Sequence, residues 1–367
     1  MLTIVICLVA VLAFANGAND NSKGVATLVG YGAATPRQAL LWATITTALG
    51  AGLSFWLAGG LIAAFKAKLF LPGTPLDVHF FIAVLVAAVG WIAFATITGM
   101  PVSTTHAIIG GLIGAGLVAF GHNQIVWAFL ATAVAVPLVL SPLVSLLLVY
   151  VLAWPVVALS RRTAGRCLCV VECPVVDTAL NAAVAVSVPT LTTGTMAECA
   201  AASPSITMTG SKAANAVHWA SGGLVGLARG WNDAPKIAAL SIVGLTAAKV
   251  QNPAAVGFII VTLAMALGGY LAGRKVLDTL ATRLTPLPLA ESLTASLITA
   301  ALVSAASWAG MPVSTTHVST GAIVGAGLRN NPSAVRWGKV TEIVLSWLVT
   351  LPVAALIAAG TMWCLGR

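Results

Sequence analysis

Long apolar runs dominate this sequence and constrain its fold more than any other feature. The runs include Leu40–Ala64, Phe80–Thr98, Ile125–Leu159, Val256–Ala272 and Ile343–Leu365. Stretches of about 20 apolar residues are long enough to cross the hydrocarbon core of a bilayer as helices. Charged residues make up only 7% of the chain and the mean hydropathy is +1.01, whereas a soluble domain carries about 25% charged residues. The sequence therefore predicts an all-α integral membrane protein with many membrane crossings.

Basic residues outnumber acidic ones and give a net charge of +9. They lie mostly between the apolar runs, which is the arrangement that the positive-inside rule describes. We therefore interpret the excess charge as a topology signal and expect no nucleic-acid partner. The Met1–Phe14 run lacks a basic start, so we expect no cleavable signal peptide there.

Two motifs each occur twice and indicate an internal duplication. Gly17–Lys23 reads GANDNSK, and Gly230–Lys236, which lies 213 residues later, reads GWNDAPK. Gly99–His106 reads GMPVSTTH and is repeated without change at Gly310–His317, 211 residues later. The duplication predicts two related halves.

The repeats divide the chain into residues 1–160, a central segment 161–212, and residues 213–367. Each half is expected to contain a first helix interrupted at Asn-Asp, a full span, a helical hairpin broken at Gly-Met-Pro, and a long final helix. Three crossings and a hairpin give an odd total, so the second half is expected to be inverted relative to the first. With both termini outside, eleven basic residues fall on the cytoplasmic side and four outside, which favours this orientation.

The Asn-Asp pairs place carboxylates inside apolar helices. A charged side chain there costs at least a few kcal/mol and persists only with a partner or a bound cation. Adjacent glycines could unwind the backbone and expose carbonyl oxygens, which with the carboxylate and amide oxygens suit a small hard cation. The candidate cation-binding residues are Gly17, Asn19, Asp20, Gly230, Asn232 and Asp233. The alternative is that the carboxylates pair with Lys23 and Lys236 and only hold the helices together.

The Pro-Val-Ser-Thr-Thr-His motif predicts an anion site. Proline can start a helix, and the first-turn N–H groups then lack helical partners and face outward with the positive helix end. The hydroxyls add further donors, so two such tips facing each other could surround a tetrahedral oxyanion. The candidate anion-binding residues are Ser103, Thr104, Thr105, Ser314, Thr315 and Thr316, joined by Asn19, Asp20, Asn232 and Asp233. The alternative is ordinary helix capping by serine and threonine.

Two further groups have open roles. His106 and His317 could contact the anion or shuttle a proton, but the favoured interpretation is that each satisfies a backbone carbonyl. Cys167, Cys169, Cys173 and Cys199 lie in the central segment, and their spacing does not match a standard zinc site. We expect them to be reduced thiols of a cytoplasmic loop, with a metal or redox site as the alternative.

The paired motifs resemble those of the inorganic phosphate transporter family, also called PiT or Pho-4, across both halves. This resemblance implies an inverted-repeat fold, symport of phosphate with Na⁺ or H⁺, and a homodimer in the plasma or inner membrane. It also implies that the Asn-Asp pairs and the Ser-Thr-Thr tips bind cation and phosphate. Two departures bear on coupling: Thr46–Thr47 stand where some members carry a glutamate, and the first motif ends in Asn-Ser-Lys where many have Val-Ala-Asn.

Other functions stay open at this point. The same fold could carry sulfate, although phosphate can donate a hydrogen bond to Asp20 or Asp233 and sulfate cannot at neutral pH. A membrane-embedded hydrolase using Ser103 and His106 is a distant alternative, because the motif occurs twice and no nucleophile elbow is present. A passive channel is the remaining one. We expect no enzyme activity and no cofactor beyond the coupling ion, with transport by alternating access.

Overall fold

The computed structural model describes residues 1–57, 59, 61, 68–176 and 185–366. Residues 58, 60 and 62–65, which belong to the span predicted at 37–65, lie outside these ranges. The first-half helices are α1 (Leu2–Asp20), α2 (Ala26–Tyr31), α3 (Pro36–Leu57), α4 (Val78–Thr98), α5 (Thr104–Phe120) and α6 (Trp127–Thr163). After a short α7 (Met196–Ala201) come α8 (Gly210–Ala247), α9 (Pro253–Ala272), α10 (Arg274–Thr282), α11 (Leu289–Trp308), α12 (Thr315–Asn330) and α13 (Trp337–Cys364). Seven spans within the described ranges are long and apolar enough to cross a membrane, which agrees with the predicted membrane class.

The two halves pack through matched pairs of helices. Helix α1 packs on α9 while α8, its counterpart, packs on α3; likewise α5 packs on α13 while α12 packs on α6. Each half therefore completes the packing of the other, as expected for a duplicated chain. The inverted orientation of the second half stays a prediction.

The first Asn-Asp motif interrupts its helix, as predicted. Helix α1 ends at Asp20, a 3-10 turn follows over Asn21–Gly24, and α2 begins at Ala26. The matching prediction for the second motif is wrong, because α8 runs without interruption through Asn232 and Asp233. Pro235 lies inside α8 and lacks a backbone N–H, so it removes a single ladder bond and the remaining ladder keeps the helix together.

Gly17 and Gly230 do not unwind the helices, contrary to the sequence-based expectation. Both lie inside regular helix, where a Cβ on Gly17 would be 2.0 Å from the Met265 carbonyl oxygen. A Cβ on Gly230 would be 2.1 Å from the carbonyl oxygen of Thr47. Their missing side chains instead let α1 cross α9 and α8 cross α3 at backbone contact.

Both Gly-Met-Pro segments form hairpin bends. Gly99 and Gly310 adopt left-handed conformations with φ of 74° and 67° and end the first helix of each hairpin. The second helices begin at Thr104 and Thr315, three residues later than the sequence predicted, because the segment from the proline to the serine stays extended. We call these extended segments, together with the first helical turn that follows, the hairpin tips.

The central segment forms a small sheet. Strands β1 (Arg166–Val176), β2 (Ala185–Thr195) and β3 (Ile206–Thr209) are antiparallel in the order β2-β1-β3, with Arg166 opposite Thr195. Thr195 and Glu198 form a capping box that starts α7 after β2. A backbone hydrogen bond from Thr195 holds the pKa of Glu198 below its usual value. The described part of the central segment thus has regular secondary structure.

The prediction of unpaired thiols in this insert is wrong for two cysteines. Cys167 and Cys199 form a disulfide, because α7 packs on the face of β1 that carries Cys167. Cys169 is buried and unpaired, with its Sγ 2.7 Å from that of Cys199. The side chain of Cys173 lies outside the described part of the chain.

Two apolar clusters enclose a polar centre. One joins α1, α4, α5, α8, α9 and α13 with parts of α3 and α6, and the other joins α2, α3, α6, α10, α11 and α12 with part of α13. Between them lie the Asn-Asp pairs and the two hairpin tips, which are buried apart from the half-buried His106. The fold thus places every duplicated polar motif in the middle of the helical part.

Candidate functional site

The two duplicated aspartates meet at one point. The Asn16 side-chain amide lies with its nitrogen 3.0 Å from Asp20 Oδ2 and 3.4 Å from Asp233 Oδ2. Both aspartates are 2% exposed. Residues 213 positions apart in the sequence therefore share a single buried site.

The two hairpin tips also meet there. Thr105 Oγ1 donates to the Val313 carbonyl at 3.3 Å, and Thr316 Oγ1 donates to the Val102 carbonyl at 2.7 Å. Each tip thus binds the backbone of the other through the second threonine of its motif. The predicted juxtaposition of the tips is present.

A lysine from the first half joins both tips to its own aspartate. The Lys23 ammonium binds Asp20, the Thr316 hydroxyl and the Val102 carbonyl, the last at 3.0 Å. Its side chain has 0% exposure. The pairing of Lys23 with the Asp20 carboxylate is the alternative that the sequence leaves open, and it is the arrangement in the structure.

A lysine from the second half repeats the arrangement. Lys236 Nζ lies 3.1 Å from Asp233 Oδ1, 2.8 Å from Thr105 Oγ1 and 3.0 Å from the Val313 carbonyl oxygen. It also binds the side-chain oxygen of Asn232. Lys23 and Lys236 therefore occupy equivalent positions in the two halves, as the motifs that contain them do.

Arg229 is a site residue that the sequence motifs did not single out. Its guanidinium donates to Asn16 Oδ1 at 2.5 Å and to Thr47 Oγ1 at 3.3 Å, and its Nε lies 3.5 Å from Asp233 Oδ2. Arg229 stands 213 positions after Asn16, so the two occupy equivalent places in the halves. That offset was the signal that could have identified both residues.

The charges of this centre do not cancel. Lys23, Lys236 and Arg229 are cationic and Asp20 and Asp233 are anionic, and each of the five is at most 3% exposed. With these groups in their usual charge states the centre carries one positive charge in excess. Since a charge away from water interacts strongly with its neighbours, such a centre attracts an anion.

The two asparagines of the duplicated motifs hold the hairpins in place. The Asn19 side chain donates to the Met100 carbonyl at 2.9 Å and accepts from the Val102 N–H at 3.1 Å. Asn232 Nδ2 donates to Ser307 Oγ at 2.9 Å. The Asn19 amide therefore binds the bend of the first hairpin, and the Asn232 amide binds Ser307 and Lys236.

The serines and threonines of the tips divide into two groups. Ser103 and Ser314 are N-caps that accept from the backbone N–H of His106 and His317, each at 3.3 Å. Three threonine hydroxyls contact the charged centre: Thr104 Oγ1 donates to Asp20 Oδ2 at 3.2 Å, Thr105 Oγ1 accepts from Lys236 Nζ at 2.8 Å, and Thr316 Oγ1 accepts from Lys23. Thr315 is the equivalent of Thr104 in the second tip and is also buried. The candidate anion-binding hydroxyls are thus Thr104, Thr105, Thr315 and Thr316.

His106 and His317 lie on the outer side of the tips. Their rings are 4.8 Å apart, and His317 stacks on Trp347 at 3.9 Å while its Nδ1 lies 2.9 Å from the Leu138 carbonyl oxygen. Both line an apolar cavity of about 360 Å³. This placement favours the interpretation that His317 satisfies a backbone carbonyl.

Comparison with known proteins identifies the family. The model of the phosphate transporter family matches residues 16–358. The chain belongs to this family. A "Probable low-affinity inorganic phosphate transporter" of Mycobacterium leprae is 27% identical over 99% of this chain and 78% of its own length. One of the same printed name from Rhizobium meliloti is 29% identical over 94% of this chain and 91% of its own length.

The fold of this phosphate transporter family member matches a solved structure. That structure, "The sodium-dependent phosphate transporter", superimposes with a TM-score of 0.79 at 25% identity, over 100% of this chain and 98% of the other. The chain is therefore a membrane transporter and not an enzyme, which decides against the hydrolase alternative.

Proposed function

We propose that this transporter moves inorganic phosphate together with a cation, Na⁺ or H⁺, by alternating access. The observation that carries the proposal is the buried centre where both hairpin tips meet three cationic and two anionic side chains. An anion enters such a centre with favourable electrostatics, and the neighbouring helix starts add to them.

The phosphate oxygens bind between the tips. Thr104, Thr105, Thr315 and Thr316 supply hydroxyls, and the first-turn N–H groups of α5 and α12 supply further donors. Lys23, Lys236 and Arg229 supply positive charge. Phosphate binding displaces the direct contacts of Thr105 with Val313 and of Thr316 with Val102, since the same hydroxyls serve both.

The aspartates make the site selective for phosphate over sulfate. Phosphate near neutral pH keeps a proton that it can donate to Asp20 or Asp233, and sulfate has none to give. A site built to accept a hydrogen bond loses affinity for an analogue that leaves its buried polar group unpaired. When both anions are present, the site therefore binds phosphate in preference to sulfate.

Alternating access follows from movement of the tips. The α4–α5 hairpin opens the site to one side of the membrane and the α11–α12 hairpin opens it to the other. We keep the predicted orientation, with both termini outside, and the predicted homodimer as parts of this proposal.

Uptake by purified protein in liposomes tests the proposal. Radiolabelled phosphate is expected to enter vesicles preloaded with unlabelled phosphate, and excess sulfate should compete weakly. Thr104→Val is expected to raise the phosphate concentration for half-maximal exchange, because a hydroxyl in the site is lost. Thr98→Val is the matched control, since its hydroxyl donates to the Phe94 and Ala95 carbonyls of its own helix, both at 3.0 Å. Sulfate exchange without phosphate exchange would refute the substrate, and equal behaviour of the two variants would refute the site.

A further inference from the structure

The two buried lysines occupy positions that a small coupling cation would need. The Lys23 ammonium is surrounded by a carboxylate oxygen of Asp20, the Val102 carbonyl at 3.0 Å and the Thr316 hydroxyl. Carboxylate, carbonyl and hydroxyl oxygens are the ligands that hard cations prefer in proteins. Lys236 has the equivalent set from Asp233, Val313 and Thr105, at 3.1, 3.0 and 2.8 Å.

A sodium ion added to this centre would meet unfavourable electrostatics. The centre already holds one more cation than it holds carboxylates, all at most 3% exposed. A free cation placed among the same oxygens would displace a tethered ammonium or stand next to it, and like charges at close range in a poorly solvated site repel strongly. A phosphate anion, in contrast, lowers the excess charge.

Lys23 also borders a chain of polar groups that extends from the centre to the buried His218. A void of about 10 Å³ is lined by Lys23, Thr27, Ser296 and Thr299, among others, and about this volume holds a single water molecule. Beyond it, Thr27 Oγ1 lies 2.8 Å from Ser296 Oγ and 3.1 Å from Nε2 of the buried His218. These are distances over which a proton can be passed along hydroxyls and a histidine.

Several charged or titratable groups face Lys23 from neighbouring elements. They are Asp20 on α1, Arg229 and Asp233 on α8, and His317 on α12. Lys236 on α8 interacts with the same two aspartates, and His218 on α8 contacts Thr27, which lines the void beside Lys23. On α10, the Arg274–Asp278 pair is exposed and points to the exterior.

We propose that the tethered ammonium groups of Lys23 and Lys236 take the place of sodium in this transporter, and that a proton carried on Lys23 couples phosphate transport. This rests on the proposed function and specifies its cation. The Lys23 amine takes up a proton from water on the entry side before phosphate loads, so the centre that receives phosphate holds the Lys23 ammonium and its one excess positive charge. After the site opens to the other side, the ammonium returns that proton through a water, Ser296, Thr27 and His218, so that a proton crosses with each phosphate.

Proteoliposomes separate this inference from the proposed function. Exchange of internal for external phosphate needs no gradient, so absence of exchange in every medium would refute the proposed function itself. Given exchange, the inference expects the same rate in sodium and in potassium buffers. An inward proton gradient should then accumulate phosphate, up to about tenfold per pH unit for each coupled proton. Accumulation that requires a sodium gradient and ignores pH would overturn the inference alone.

Substitutions at the two lysines provide a second test of the inference. Lys23→Asn cannot carry a proton, so proton-driven accumulation should be lost, and the phosphate concentration for half-maximal exchange should rise because one positive charge of the site is removed. Lys23→Asn combined with Lys236→Asn leaves the oxygen ligands vacant and should make transport sodium-dependent. Lys339→Gln removes an exposed lysine that pairs with Glu342 and should match the wild type. Proton-driven accumulation that survives in Lys23→Asn would overturn the role of Lys23.

A variant outside the charged centre covers the case in which the lysine variants do not fold. Thr27→Val keeps the shape of the side chain and removes the hydroxyl between Ser296 and His218. It should slow proton-driven accumulation severalfold and leave exchange unchanged. Wild-type accumulation rates in this variant would overturn the route through Thr27.

A second inference rests on the central insert and is independent of the transport site. The Sγ atoms of Cys167 and Cys169 on β1 and of Cys199 on α7 all lie within 4.8 Å of one another. Each of the three residues is at most 4% exposed. The disulfide uses Cys167 and Cys199 only, and the Cys169 thiol lies beside it, 3.4 Å from Thr192 Oγ1.

Three convergent thiolates are a ligand set for soft metal ions. We infer that the reduced insert binds one thiophilic cation of the Zn²⁺ class through Cys167, Cys169 and Cys199. A dithiol reductant of the cell supplies the two electrons and two protons that open the disulfide and is itself oxidised to a disulfide. Metal binding then releases the three thiol protons.

Metal titration of the purified full-length protein tests this inference. After treatment with a phosphine reductant, Cd²⁺ should give a thiolate-to-metal absorption band that saturates at one equivalent. Cys169→Ser should abolish the band while leaving the disulfide able to form, which separates the metal site from a purely structural disulfide. Cys364→Ser, at an exposed free cysteine, should leave the band unchanged. No band in the reduced protein, or an unchanged band in Cys169→Ser, would overturn the inference.

Discussion

The substitution Gly17→Ala tests whether α1 and α9 must be in backbone contact for the site to form. The added Cβ would lie 2.0 Å from the Met265 carbonyl oxygen and 2.9 Å from the Gly269 nitrogen. An ordinary contact begins at 3.4 Å, so the helices must separate by more than an ångström. Overpacking of this kind destabilises by about 1–3 kcal/mol, and the displacement also moves Asn16 and Asp20.

The matched control is Gly52→Ala on α3, where a Cβ would meet no atom within 4 Å. There alanine should stabilise by up to about 1 kcal/mol through its higher helix propensity. The two variants should therefore differ in free energy of unfolding by about 1–4 kcal/mol. Thermal unfolding of the detergent-purified proteins measures the difference, and phosphate exchange should be impaired only in Gly17→Ala. Equal melting temperatures for the two variants would refute the close crossing.

Three further substitutions test other contacts of the site. Asn19→Ala removes the side chain that holds the first hairpin bend and should lower the free energy of unfolding by about 1–3 kcal/mol; unchanged thermal stability would contradict that role. Arg229→Met leaves Asp233 with fewer partners and removes the excess positive charge, so stability should fall by about 3–5 kcal/mol; in exchange assays the half-saturating phosphate concentration should rise, and an unchanged value would argue against a role for this charge. Trp91→Phe removes the 2.8 Å hydrogen bond to Thr350 and should lower the melting temperature by an amount that corresponds to about 1 kcal/mol while exchange continues; lost exchange would show that this contact does more than stabilise.

Much of the fold could be predicted because the duplicated motifs are long and the apolar runs are continuous. The hairpins follow from Gly99 and Gly310, whose left-handed backbone ends a helix, together with the proline two residues later. The break at Asn19-Asp20 was also predicted, but the continuity of α8 at Asn232-Asp233 was not. Sequence similarity between the halves does not show which copy of the motif keeps its helical backbone hydrogen bonds when the two copies pack against different neighbours.

The site was predicted in part. The meeting of Asp20 with Asp233 and of the two tips follows from the symmetry of a duplicated chain. The partners of the aspartates could not be decided, because a lysine next to a carboxylate can pair with it or leave it to a cation. That decision depends on long-range contacts, such as that of Lys23 with the Val102 carbonyl at 3.0 Å. The structure of the insert could not be predicted either, because its short strands of mixed polarity lack a clear alternation of apolar and polar residues.

Both tips depend on the same two ammonium groups, and this has a consequence for leakage. When the first tip retracts, Lys23 loses Val102 but keeps its bond to Thr316, and Lys236 loses Thr105 but keeps Val313. The opposite tip is therefore still fastened while its counterpart is away, and the same holds in reverse. A state in which both tips have retracted must lose all of these contacts and is therefore high in free energy. The bilayer thus stays sealed to ions throughout the cycle.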